Sequence, residues 1–177
     1  MEKLNIGEKL NFENVDLTAP NVVLEHFSKQ ISDETNNIIC GNVINYDGAI
    51  MSSHKSIVPS IKLALEQTVD VQESLGKIGD VTNKFEFYLS TPSFENYKYR
   101  ICFLEFGVAN YPVSVVLEQS IADSINLQAN SNYVVKCDNN EEFKELVFKV
   151  ISSKRVIEVM QELIYINQIN KNSEINM

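Results

Sequence analysis

Three apolar runs follow one another with only short loops between them: "KFEFYLS" (84–90), "YKYRICFLEF" (97–106) and "YPVSVVLE" (111–118). The loops "TPSFEN" and "GVAN" are rich in Pro, Ser, Asn and Gly, which supply the backbone geometry of turns. Parallel neighbours would need crossovers of a dozen or more residues. The spacing therefore calls for antiparallel pairing, and every other element has to be arranged around that sheet.

The flanking segments read as follows. In "DLTAPNVVLEHFSKQISDET", Asp16 or Thr18 is placed to cap a helix and Pro20 sits in its first turn, where a missing N–H costs nothing. Val23, Leu24, Phe27 and Ile31 form its apolar stripe, and "TNN" ends it. "IICGNVINYDG" is a strand closed by the Asp47–Gly48 turn signal, and "NYVVKC" is another strand. A second helix is expected from Ser56 or Ile57 to about Leu75, with Val58, Ile61, Leu65 and Val69 inward.

The C-terminal part reads as two helices. "DNNEEFKELVFKVIS" has Asp138 or Asn139 as cap, acidic residues in the first turn, and a stripe of Phe143, Leu146, Val147, Val150 and Ile151. "KRVIEVMQELIYIN" follows a Ser152 or Ser153 cap, with Val156, Ile157, Met160, Leu163 and Ile164 inward. Residues 1–17 read as an N-terminal arm and 168–177 as a frayed tail. The expectation is one α+β domain across 1–177: a mainly antiparallel sheet of four to five strands packed against N-terminal and C-terminal helices.

Pairing the central strands through their loops sets Phe87 opposite Ile101, Phe85 opposite Phe103, Phe103 opposite Val115 and Ile101 opposite Leu117, all on the core face. The other face then carries a row of Tyr88, Arg100 and Glu118, bordered by Lys98, with Glu86, Cys102 and Val116 in the next row. The bland reading of that row is a solvated cross-strand ion pair worth about 0–1 kcal/mol. The sharper reading is a partner-binding surface made of Tyr88, Lys98, Arg100 and Glu118, because Tyr and Arg are enriched among interface hot spots.

The chain carries 24 acidic and 15 basic residues, a formal charge of −9, so it offers phosphate backbones little and nucleic acid is not an expected partner. An RNA-binding sheet fails too, since its rings would share the face that must be core. Cys40, Cys102 and Cys137 are widely spaced with no paired histidine, which argues against zinc and for a reducing compartment. The first residues lack a signal peptide's apolar core, and no run reaches the roughly 20 apolar residues of a membrane span. A cytoplasmic location is expected.

No motif carries chemistry. Cys40, His54 and Asp47 can be imagined as nucleophile, base and orienter, but nothing in their spacing demands it. Gly76-Lys77-Ile78-Gly79 follows a helix and lacks the Ser/Thr of a phosphate loop. "NNEE" lacks the alternating ligands of a calcium loop. With no metal or cofactor indicated, the expectation is a non-enzymatic protein that binds another protein, as an inhibitor, immunity-type antidote or adaptor. The rivals are a small enzyme with a site gathered from dispersed residues, and a subunit that self-associates as a homodimer through its last helix.

Overall fold

Among the described residues, five strands run side by side in chain order, each antiparallel to the next: β1 (Cys40–Asn45), β2 (Asn83–Thr91), β3 (Phe94–Phe106), β4 (Val113–Leu117) and β5 (Val134–Cys137). With helices α1 (Pro20–Glu34), α2 (Gln119–Ser124), α3 (Asn140–Ile151) and α4 (Lys154–Ile175), they form an α+β domain. The structure is a computed structural model that describes residues 18–48, 50, 82–127 and 133–175. The expected arm over 1–17, the helix from Ser56 or Ile57 to Leu75, His54 and the 76–79 glycine pair lie outside the described residues.

Local chemistry explains where the helices start and stop. Pro20 opens α1, but its cap is Ala19, which offers no side-chain acceptor. Its end is a run of asparagines: Asn36 and Asn37 take positive φ values of 50° and 59°, a region asparagine tolerates better than most residues. Thr35 Oγ1 accepts from Ile39 N at 3.2 Å and donates to Ile31 O at 2.8 Å, tying the turn to β1. Asn139 caps α3 by accepting from Glu142 N at 3.0 Å, while Glu142 reaches back to Asp138 N at 2.9 Å. "NNEE" is thus a reciprocal helix cap.

Ser153 Oγ accepts from Val156 N at 3.3 Å and starts α4. This helix buries Val156, Val159 and Leu163, with Ile157 exposed and Met160 and Ile164 half-buried, so its inner face is rotated from the expected stripe. It also continues to Ile175, through residues read from the sequence as a frayed tail. Two polar contacts hold its far end: Asn167 pairs with Ser93, and Asn170 Nδ2 donates to Ser93 O at 3.1 Å.

The register departs from expectation at one place, and the cause is a β-bulge. Phe87 pairs with Cys102 while Tyr88 pairs with Arg100, so one step along β2 spans two along β3 and Ile101 is the additional residue. Side-chain alternation changes phase there. Tyr97, Tyr99 and Ile101 turn inward before the bulge; Cys102, Leu104 and Phe106 turn inward after it. The expected pairing holds at Tyr88–Arg100 and fails beyond. Phe103 lies opposite Glu86 and Val116 and is half-buried on the outer face, while Leu104 takes the core position opposite Phe85 and Val115 that was expected for Phe103. Thr91 pairs with Phe94, which tightens the hairpin turn to Pro92 and Ser93.

The described helices lie against the inner face. Leu24 of α1 and Leu146, Val147 and Val150 of α3 meet Phe87, Ile101, Cys102, Val115 and Leu117 around a residual void of about 10 Å³. α1 crosses β1 at Gly41, where a Cβ would sit 2.7 Å from Ser28 Oγ and 2.8 Å from Ser28 Cα. Because one of those atoms is backbone, the helix would have to shift. Gly41→Val is expected to cost about 1–3 kcal/mol, the usual range for overpacking, read as a lowered urea midpoint. An unchanged midpoint would mean α1 does not press on the strand.

Candidate functional site

The outer face is built by the residues that alternation turns away from the helices. Paired positions share a face, so one row is Asn42, Tyr88 and Arg100, and the next is Ile44, Glu86, Phe103, Val116 and Val134. A third is Lys84, Glu105, Ser114 and Lys136. The second row is apolar except for one carboxylate, and that carboxylate organises the site.

Glu86 is 3% exposed and holds two cations at once. Lys98 Nζ donates to its Oε2 at 2.5 Å, and Arg100 Nε donates to its Oε1 at 2.7 Å. Each cation also lies on a ring: Lys98 Nζ is 4.1 Å from the centre of Tyr88, and Arg100 Cζ is 4.5 Å from that of Phe103. Tyr46 packs on the same Phe103 ring, with centroids 4.5 Å apart. The result is a pair of charge-assisted hydrogen bonds inside a frame of aromatic carbon, with both cations still 41–49% exposed. Among the described residues, the Nη atoms of Arg100 have no acceptor.

Burial works to raise the Glu86 pKa, but the hydrogen bonds and charges of Lys98 and Arg100 outweigh it, and the carboxyl titrates below its ordinary value of 4.5. A carboxyl with a depressed folded pKa adds stability that is full above the unfolded value and is lost as pH falls through the folded one. The stability difference between the wild type and Glu86→Gln should therefore be constant from pH 7 to about pH 5 and close below about pH 4.5. Urea titrations across that range check it. A difference that widens on acidification would contradict the pairing.

Of the four residues singled out from the sequence, the structure gathers three. Tyr88, Lys98 and Arg100 meet around Glu86. Glu118 does not join them. β4 ends at Leu117, and Glu118 caps α2, accepting from Ser120 N at 2.9 Å and from Ser120 Oγ. The shift of β3 at the bulge explains the loss of Glu118, which it carries past the end of β4, whereas Glu86 stays on the outer face in the row next to Arg100 in either register. Glu86, Phe103 and Tyr46 were the residues missed. The expected register already set Glu86 on the outer face in the row next to Tyr88 and Arg100, without marking it as their partner.

Other chemistry-bearing groups are dispersed. Burial pushes the Cys102 thiol up to about 12; burial, then Glu142 and Asp138, push Cys137 up to about 11. Both are inert at neutral pH. Cys40 opens β1, whose length of about 17 Å puts Asp47 at the opposite end of the strand, and His54 lies outside the described residues. Among the described residues no group of His, Cys, Asp and Glu is placed to hold a metal ion, and no helix is long and apolar enough to cross a membrane. A groove of about 210 Å³ runs between α1, α3 and α4, walled by Phe27, Ile31, Phe148, Ile151, Ile157 and Met160, with Gln30, Glu34, Thr35 and Ser152 as its polar lining. Comparison with protein-family models, with curated proteins and with solved structures returns no match to this chain.

Proposed function

We propose that the protein is a non-enzymatic binding domain that recognises another protein through the outer sheet face around Tyr88, Lys98 and Arg100. The observation that carries this reading is the way the two cations are held. A long basic side chain ordinarily loses rotamer freedom when a partner immobilises it, at about 0.5–1.5 kcal/mol each. Here Glu86 and two aromatic rings have already fixed Lys98 and Arg100 while leaving them half-exposed. An inhibitor, immunity-type or adaptor role in the cytoplasm suits such a surface.

The test is affinity capture from the native cell with the wild type, Arg100→Ala and Tyr88→Ala, followed by measured affinity for the protein recovered. Arg100→Ala is expected to lose about 2 kcal/mol or more of binding, close to 30-fold, in a chain that stays folded but loses some stability, because Glu86 keeps only Lys98 as partner. If both variants bind as the wild type does, the interface lies elsewhere. A reaction catalysed by the pure protein, abolished by a surface substitution that spares binding, would favour an enzyme.

A further inference from the structure

We infer that the group this face recognises is a single carboxylate carried beside an apolar side chain on a protein segment. The inference rests on the reading of this face as the interface and names what fits it. Three features of the patch converge on that chemistry.

The first is charge. The chain carries −9 in total, yet the strands present Lys84, Lys98, Arg100 and Lys136 on this face against Glu86 and Glu105, with Asp138 opposing Lys136 just past β5 at 4.0 Å. The Glu86 carboxylate is spent internally, which leaves Lys98 and Arg100 as a local positive focus on an acidic molecule. The second is the orientation of Arg100. Its Nε is turned to Glu86, and the Nη atoms have no acceptor among the described residues. A planar carboxylate matches two parallel N–H groups of a guanidinium fork. The third is the floor beside it: Val116 and Val134 are half-buried and Ile44 is 41% exposed. An apolar side chain next to the carboxylate would cover that row.

Nucleic acid offers anions too, but it is the poorer fit. A polyanion feels the charge of the whole domain within a Debye length of roughly 8–10 Å, and this domain repels it. A single carboxylate placed on Arg100 senses mainly its immediate partners. The bases of a single strand would find Phe103 already covered on one side by the Arg100 guanidinium.

The probes are a short blocked peptide with one Glu flanked by Leu, the same peptide with Gln for Glu or Ser for Leu, and a thymidine oligonucleotide of equal length. Each is titrated into the isotope-labelled full chain and followed by amide shifts. The Glu/Leu peptide is expected to shift the amides of Lys98 to Phe103, Val116 and Val134 saturably. Replacing Glu by Gln, Leu by Ser, or Arg100 by Lys should each weaken it roughly tenfold; the last change keeps the charge and removes the fork. The oligonucleotide should give no saturable shift. Equal binding of the Gln peptide, shifts confined to the α1–α3–α4 groove, tighter binding of the oligonucleotide, or no peptide binding at millimolar concentration would each overturn the inference. Capture separates this from the broader reading. A partner lost with Arg100→Ala while the peptide fails leaves the face correct and the chemistry wrong, whereas a partner retained by that variant removes the face itself.

Discussion

Phe87→Ala is expected to destabilise the domain by about 3–5 kcal/mol, and Phe103→Ala by less than half as much. The two phenylalanines sit on neighbouring strands and look equivalent in the sequence. Phe87 is 1% exposed between α1 and α3, so truncation empties a volume that packed neighbours can fill only in part. Phe103 faces outward, and truncation there lets solvent and the Arg100 stem move in. Urea denaturation of both variants at neutral pH gives the comparison. A larger loss for Phe103 would restore the register without the bulge and return Leu104 to the outer face.

The second large effect concerns α3. Phe143→Ala should cost about 3–5 kcal/mol, while Phe148→Ala, on the same helix, should stay within about 0.5 kcal/mol. Phe143 is fully buried one turn after the Asn139 cap, where its ring meets Tyr111 with centroids 6.5 Å apart. Phe148 is 65% exposed at the groove beside α1 and α4. Thermal unfolding of the two variants at several protein concentrations measures both. A Phe148→Ala cost comparable with that of Phe143, and dependent on concentration, would mean a second molecule covers the groove in solution.

The sequence carried the architecture further than the site. Loop lengths and turn residues were enough to make the sheet an antiparallel meander, and the cap and stripe of α3 could be read residue by residue. The stretch "YKYRICFLEF" was the weak point, because apolar residues occupy both of its phases from Ile101 onward. Periodicity alone could not tell a regular strand with an apolar outer residue from a bulged strand. Tyr97, Tyr99 and Ile101 fit one phase, Cys102, Leu104 and Phe106 the other, and only the burial of two consecutive residues places the change. That one residue takes Glu118 away from Arg100 and leaves Glu86 as its carboxylate partner. The rotated inner face of α4 was hidden for a related reason. Its apolar residues cover more than half the helix circumference, so sequence spacing did not select the side that α2 and β3 use.

The Asn167 and Asn170 contacts with Ser93 also bear on the order in which the domain assembles. Joining Ser93 to Asn167 closes a loop of 74 residues, and fastening ends that far apart in a flexible chain costs about 4 kcal/mol of entropy by the logarithmic law for loops. Two side-chain hydrogen bonds return about 1 kcal/mol each. They cannot initiate that closure. The intervening segments must first pair and pack so that the ends already lie close, with Val156, Val159 and Leu163 docking α4 from its first turns onward. The hairpin tip is therefore a latch that engages after the chain has been gathered, and it records the completion of folding without driving it.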